Sequence, residues 1–541
     1  MGIGPKNLGL RHPGFGLLLL FLVQSFYIQL WPTFHPANES IRFYFVESLV
    51  RDGTLSVDPA LERYGVPNKD VSIHDGRAYM DKAPGVAFAV APLYVALRTV
   101  GFDSLPWEMR WFLLTLLGLT IPNLLATALF FRLGRDLSGG RDDVALGLAA
   151  AYAVATPALL YSTLFFGHQF AAILFLAGFY LLRPATVVSS GAAFTAGFLI
   201  SFAVASEYQA VLAAAGLAVY GMVRAVDWRG RAMLVLGGLV PAAIVLGYHW
   251  LSFGGPLNFP YAYKGAEELA EMHAQGLFGF VWPYWEGGHG QLLSARRGLI
   301  YSAPITALWP LGIIRMWRAP GWRAARYAVL FVGLAHTILL TGYLYWTGGY
   351  CHGPRFLVPV LPFMVLPLAA LWRPPGEGET PRAISSVVRT WLFPGLALVG
   401  ALLHLAVLMS FPYPREEIQA PFYELTFPLL LQGCTAPNVL GLSSGPAMLV
   451  FALLVGGAAL WLFTRLRAGA SRPIAGRLLV AVAVALAIIL AQLLVAPPPD
   501  SPAARRWQNE ARELMQCSPI AARLVPISAT NNQLSAQVLS K

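Results

Sequence analysis

The stretch after the first apolar block is unusually rich in side chains able to do chemistry. It holds Asn38-Glu39-Ser40-Ile41-Arg42, then Asp52, Asp70, and the run Asp75-Gly76-Arg77-Ala78-Tyr79-Met80-Asp81-Lys82-Ala83-Pro84-Gly85. Glu39 falls only a few residues beyond an apolar block. A carboxylate at the lip of a bilayer is partly desolvated, which raises its pKa towards neutrality and suits it to act as a general base. The competing reading is an interfacial anion paired with Arg42 one turn along. Lys82, just ahead of Pro84-Gly85, is placed to meet a lipid phosphate as a point charge. Its alternative is a solvated ion pair with Asp81.

Two later segments repeat the pattern. Trp282-Pro283-Tyr284-Trp285 is followed by Glu286, His289 and Arg296-Arg297, and Tyr345-Trp346-Thr347-Gly348-Gly349-Tyr350-Cys351-His352-Gly353-Pro354-Arg355 precedes an apolar block. Aromatic rings there are either membrane-interface belts or platforms for sugars. Arginine beside them suggests phosphate, which its planar fork grips bidentately. Glu207, in Ala205-Ser206-Glu207-Tyr208, and His168-Gln169 are either functional or hydrogen-bonding pairs between helices. His249, His336 and His404 sit singly in apolar runs and read as packed core residues. Glu267, Glu268 and Glu271 read as a solvated helix face. Asn38-Glu39-Ser40 is formally a glycosylation sequon, but its closeness to the membrane argues against modification.

What must position these residues is a set of membrane helices. The 541-residue chain is 57% hydrophobic and only 12% charged, about half the charge of a soluble protein, and its mean hydropathy is +0.59. Its apolar residues come in long blocks. This excludes a soluble enzyme, a secreted disulfide scaffold and a disordered tail protein. The expected fold is an all-α polytopic membrane protein with about 13 transmembrane helices, near 14–31, 111–131, 143–160, 163–182, 190–206, 208–223, 232–251, 301–316, 326–345, 356–372, 390–410, 447–465 and 477–496. A further stretch, 84–100, contains Pro84 and Pro92 and reads as a juxtamembrane helix in the first outer loop.

The positive-inside rule sets that choice. With 84–100 not crossing, 20 of the 38 Lys/Arg fall on one side with few of the 27 Asp/Glu. The expectation is then an N-terminus inside and a C-terminus outside. Residues 1–496 form one transmembrane unit with large outer loops at 32–110, 252–300 and 411–446, followed by an extracytoplasmic tail, 497–541, carrying one helix around 503–516. The first span reads as a retained signal anchor. No soluble domain is expected before or after the membrane unit, and no internal repeat is visible. All three cysteines, Cys351, Cys434 and Cys517, fall on the outer side, where disulfides persist. A Cys434–Cys517 bridge and three free thiols are the two readings.

The net charge of +11 does not indicate nucleic acid, because no Lys/Arg run carries interleaved aromatics. No phosphate-binding Gly-Lys loop or dinucleotide turn is present. Glu39, Arg42, Asp70, Asp81, Lys82, Glu207, Arg297 and Arg355 all fall near the outer bilayer edge. A membrane enzyme working there without nucleotides needs an activated substrate delivered through the bilayer, and a lipid-phosphate-linked group fits.

At these residues the chain resembles the C-type glycosyltransferases that use polyprenyl-phosphate sugars, the group with the protein O-mannosyltransferases and the lipid A aminoarabinose transferase. Their pattern is an Asp-Glu pair followed by Arg or His after the first span, then G-x-x-Y-x-[DE]-K-x-P. Gly76-Arg77-Ala78-Tyr79-Met80-Asp81-Lys82-Ala83-Pro84 matches the second element closely. The first is altered: one acidic residue, Glu39, remains, aligned as Glu39-Ser40 or Asn38-Glu39. The resemblance covers residues 10–372 by sequence and the later spans by architecture alone.

The resemblance implies inverting transfer of a sugar at the outer face of the cytoplasmic membrane. Glu39 and Asp81 would be catalytic. Arg42, Asp70, Tyr79, Lys82, Glu207, Arg297, His352 and Arg355 would bind substrate, with Lys82 and Arg297 or Arg355 on the leaving phosphate. Some relatives hold a divalent metal near the acidic residue of the second element, which nominates Asp81, but no histidine spacing supports one. The partners implied are a polyprenyl-phosphate sugar donor, a lipid, glycan or protein acceptor, and membrane lipids. Two other readings stand beside it: a transporter or flippase for a lipid-linked glycan, which should show repeats and broken helices at the midplane, and a non-catalytic assembly subunit.

Overall fold

The structure is a computed structural model that describes residues 13–28, 30–31, 34–65, 70–374, 387–468, 474–496, 501–515 and 517. Six helices are long and apolar enough to cross a membrane: Trp107–Leu137, Trp228–Phe253, Arg323–Thr341, Arg355–Trp372, Val388–Met409 and Ser444–Arg465. Shorter apolar helices include Gly14–Phe26, Gly85–Arg98, Gly167–Leu181 and Ser190–Ser206. The protein is a multi-pass, almost wholly helical membrane protein. Each of the thirteen apolar blocks read from the sequence holds helix, but several are interrupted. The 143–160 block stops being regular at Val154 and resumes as Ala158–Tyr161 after Pro157. The 301–316 block breaks into Leu299–Ser302, Pro304–Leu308 and Trp309–Met316, because Pro304 offers no N–H to the preceding turn.

Among the described residues the one sheet is a hairpin, β1 (Val71–His74) and β2 (Arg77–Met80), paired Val71 with Met80 and His74 with Arg77. Asp75 and Gly76 form its two-residue turn with φ of 48° and 72°. Asp-Gly suits this turn because both central residues must take positive φ. The hairpin sits between α1 (Ala37–Glu47) and α2 (Gly85–Arg98), the helix expected to lie along the surface. Gly85 abuts Ala205 and Ser206, whereas Arg98 pairs with Asp103 at 2.9 Å, just ahead of Trp107.

Two helices fix one wall of the site by close backbone contact. In α3 (Ser190–Ser206), a side chain at Gly197 would collide with the Leu234 carbonyl of α4 (Trp228–Phe253). Gly237 of α4 stands equally close to the Phe194 carbonyl. Small residues of this kind let membrane helices approach, since lipid gives no hydrophobic drive for packing. The contact sets the end of α3, and so Glu207, which follows it in extended conformation.

The C-terminal part wraps back over this end. A disulfide joins Cys434 to Cys517, while Cys351 is free and buried. The helix α5 (Pro502–Leu514) is capped by Ser501, whose hydroxyl accepts from the Ala504 N–H at 3.1 Å. It is held by Arg415–Glu510 at 2.9 Å and by Gln508 donating to the Glu424 carbonyl at 2.6 Å. This is the tail helix expected near 503–516; residues 497–500, 516 and 518–541 of the tail lie outside the described residues.

Candidate active site

Glu39 lies in the first turn of α1 and is completely buried. Its Oε1 accepts from the Tyr413 hydroxyl at 2.5 Å and its Oε2 from the Phe165 N–H at 2.5 Å. Burial pushes the carboxyl up to about 7, although Tyr413, the Phe165 N–H and the Arg42 charge all oppose that rise. The group is therefore poised to take up a proton near neutrality. The pairing of Glu39 with Arg42 weighed above is not what forms. Arg42 turns the other way, to the Asn38 carbonyl at 2.6 Å, to Asn38 Oδ1, and to Glu207 Oε1 at 3.2 Å.

Glu207 is the hub of the next shell inward. Besides Arg42 it takes a hydrogen bond from Gln209 at 2.9 Å, and His168 Nδ1 lies 3.3 Å away. Burial raises the Glu207 carboxyl, against the pull of Arg42 and Arg355. Gln169, beside His168, bonds Asn123 and Tyr152 instead and ties three helices together. Arg355 is 7% exposed, and its Nε is buried without a hydrogen-bond partner. Among the described residues it makes no ion pair. Its guanidinium stands 5.7 Å from the centroid of the Phe166 ring, and that of Arg42 stands 6.0 Å from the same centroid.

The hairpin delivers the second cluster. Its register sets Asp70 opposite Asp81, and Lys82 bridges their carboxylates at 3.2 and 3.1 Å. Lys264 adds a second ammonium to Asp81 with its own side chain only 2% exposed. It gets there because Ser72 pairs with Lys264, while Gly265 donates to the Val71 carbonyl at 2.9 Å. Burial alone would raise Asp81, but Lys264 and Lys82 outweigh it and hold the carboxyl at about 2. Asp81 is thus a permanent anion that orients two lysines, and it cannot serve as a general acid. A divalent metal does not fit here. One Asp81 oxygen is free of hydrogen bonds, but the other faces two ammonium groups. Among the described residues no group of three or more His, Cys, Asp or Glu comes together to hold a metal.

Three of the substrate-binding candidates stand apart from these clusters. Arg297 is buried with its guanidinium spent on backbone carbonyls, those of Thr347 at 2.7 Å, Gly349 at 2.9 Å and Arg296 at 3.0 Å. It braces the loop that leads to Arg355, with all three of its guanidinium nitrogens donating to backbone carbonyls. His352 contacts Thr426 at 3.3 Å, and burial lowers its pKa well below the usual range. Tyr79 packs its ring on Phe253 at 5.3 Å. The single histidines behave as expected of core residues: His249 meets Tyr208, His336 the Phe356 carbonyl and His404 the Gly400 carbonyl. Glu267, Glu268 and Glu271 are exposed.

Sequence reasoning passed over Lys264, Tyr413 and Glu47. Lys264 ends the run Pro260-Tyr261-Ala262-Tyr263, and Tyr413 sits between Pro412 and Pro414 just after an apolar block. A lone polar group with aromatic or proline neighbours at a block's edge was the available signal. Glu47, at the other end of α1, is fully buried and binds Arg110, Arg63 at 3.1 Å and the hydroxyls of Tyr64 and Tyr94. That network pins α1, and so the position of Glu39.

No protein-family model matches the chain, and no curated protein matches it in sequence. Among solved structures it is similar to ArnT from Cupriavidus metallidurans bound to undecaprenyl phosphate, at 14% identity and a TM-score of 0.47, covering 97% of this chain and 87% of that one. It is also similar to the apo state of the same protein, at 14% identity and a TM-score of 0.43, covering 89% and 77%.

Proposed function

We propose that the protein is a glycosyltransferase of the polyprenyl-phosphate-dependent C type, which moves a sugar with inversion from a lipid-phosphate carrier to an acceptor at the outer face of the cytoplasmic membrane. The observation that carries this reading is a buried carboxylate poised near neutrality, Glu39, together with a buried arginine, Arg355, that makes no direct ion pair among the described residues and whose Nε has no hydrogen-bond partner. A buried arginine is costly in a membrane protein, and one with no direct carboxylate contact can take an incoming anion. Arg42 and Lys82 lie within electrostatic reach of the same Glu207.

In this mechanism Glu39 takes the proton of the acceptor hydroxyl as its oxygen attacks the anomeric carbon. The bond from that carbon to the phosphate oxygen breaks, and its electron pair leaves with the lipid phosphate. Lys82 and Arg355 hold the charge that grows there, which is where fixed cations lower a barrier most. Arg42 and Glu207 keep the floor of the site in place, while Asp81, Asp70 and Lys264 orient Lys82. Glu39, Lys82, Glu207 and Arg355 lie in connecting segments or end turns of helices, which supports an enzyme over a transporter with a midplane site.

The test is binding of an undecaprenyl phosphate by the purified protein in native mass spectrometry, with Lys82→Ala/Arg355→Ala beside the wild type. Saturable binding that the double variant loses is the expected result. Equal binding by both proteins, or none by either, overturns the lipid-phosphate reading.

A further inference from the structure

Glu39 is held by groups from two remote segments, and the chemistry of the two differs. The Phe165 N–H is a fixed backbone donor. The other donor is a hydroxyl that the sequence could have omitted, on a segment that starts directly after the helix Val388–Met409. Resting on the reading of Glu39 as the base, we infer that Tyr413 is its positioning residue: through the hydrogen bond from its hydroxyl to Oε1, it fixes the carboxylate and keeps it ionised at working pH.

The surroundings of Tyr413 fit that role. It is 1% exposed, and its ring packs against Phe34 at 5.5 Å, Phe411 at 5.4 Å and Trp31 at 6.4 Å. Phe411 in turn packs on Trp507 of α5 at 5.5 Å. The ring cannot swing away without opening this aromatic stack. Burial pushes the phenol well above its ordinary range, with Glu39 adding to the rise, so Tyr413 donates and does not compete for the acceptor's proton. The other charged or titratable groups facing the pair are Arg42, one turn along α1, and Tyr161, near Tyr413. Arg42 is committed to Glu207 and Asn38, and Tyr161 donates to the His352 carbonyl at 2.9 Å. Neither can replace the lost hydrogen bond.

Two oxygens with one donor each leave lone pairs on Glu39 for the incoming hydroxyl. Remove the phenolic O–H and the anion loses a charge-assisted bond. The carboxyl then titrates higher, by roughly one to two pH units for a bond of that class.

The experiment compares Tyr413→Phe, which keeps the ring, with Tyr413→Leu, which does not. Glu39 is titrated by infrared difference spectroscopy, with Glu39→Gln as the blank, and transfer is followed against pH. In Tyr413→Phe the carboxyl band and the acid limb of kcat/KM are both expected to move to higher pH, with activity recovering in alkali. Tyr413→Leu should lose activity at every pH. An unmoved carboxyl titration in Tyr413→Phe, or a uniform loss of rate with the limb in place, overturns the positioning role. A shifted carboxyl band together with an unshifted rate profile keeps the Tyr413–Glu39 relation and instead removes Glu39 as the base.

Discussion

Arg42 and Glu207 are 165 positions apart in the chain, yet they form an ion pair at 3.2 Å with side chains only 1% and 6% exposed. Neither residue would hold its charge alone when buried this deeply. Breaking such a pair leaves one charge buried and unpaired, which typically costs about 3–5 kcal/mol. Glu207→Gln and Glu207→Ala both leave Arg42 without its counter-ion and should each lower the thermal unfolding temperature in detergent, Ala further because it also removes the acceptor facing Arg42. Unfolding temperatures equal to the wild type's in both variants would show that the pair does not bear on stability.

Glu39→Gln keeps the size and one of the two acceptors that meet Tyr413 and Phe165 but cannot take a proton. Transfer should fall by roughly 10²–10⁴-fold, the usual contribution of a positioned general base. Binding of the lipid phosphate, measured on the same preparation, should be unchanged because Lys82 and Arg355 are untouched. Wild-type turnover by this variant removes Glu39 from the mechanism.

The burial of Glu39 sets a pH dependence with a definite sign. Its carboxyl is raised to about 7 and the base must be the anion. The rate should therefore climb with pH through about 7 and level off above it. Glu39→Asp, shorter by one methylene, should move that limb as well as lower the plateau. A profile flat across roughly pH 5–8, where unperturbed carboxylates stay ionised, would mean that another group limits the rate.

What the sequence made legible was local. Glu39 beyond the first apolar block and Asp81-Lys82 ahead of Pro84 are visible because each breaks an apolar pattern within a few residues. The helices follow for the same reason, since long apolar blocks in lipid must satisfy their own backbone. What was not legible depends on contacts between distant segments. Arg297 and Arg355 look alike in the sequence, each beside aromatics and glycine. One holds three backbone carbonyls, while the other makes no direct ion pair among the described residues and has an unpartnered Nε, a difference that only the folded loop creates. Lys264 reaches Asp81 because a bridge to Ser72 adds a third segment to the hairpin, and no spacing rule announces such a contact.

Lys264 also bears on metal dependence. With two ammonium groups already on Asp81, transfer should be unaffected by a chelator such as EDTA. Lys264→Met should free Asp81 to hold Lys82 more tightly and so weaken lipid-phosphate binding by about tenfold or more, equivalent to ~1.4 kcal/mol. Loss of activity on chelation, restored by adding back one divalent ion, would reverse this assignment.

The disulfide Cys434–Cys517 closes a separation of 83 residues and fastens the C-terminal helix to the segment that follows Tyr413. Cross-links of this kind stabilise by about 2–4 kcal/mol, mainly by restricting the unfolded chain. Cys434→Ser/Cys517→Ser should therefore unfold at a lower temperature than the wild type, and reductant should lower the wild type towards the variant but leave the variant unmoved. The effect should reach the site. Arg415–Glu510 and the stack of Trp507 on Phe411 also press this region onto Tyr413, so loosening the cross-link should blunt activity before the protein unfolds. A variant with normal transfer and a normal unfolding temperature would mean that the packing around α5 holds Tyr413 without help from the disulfide.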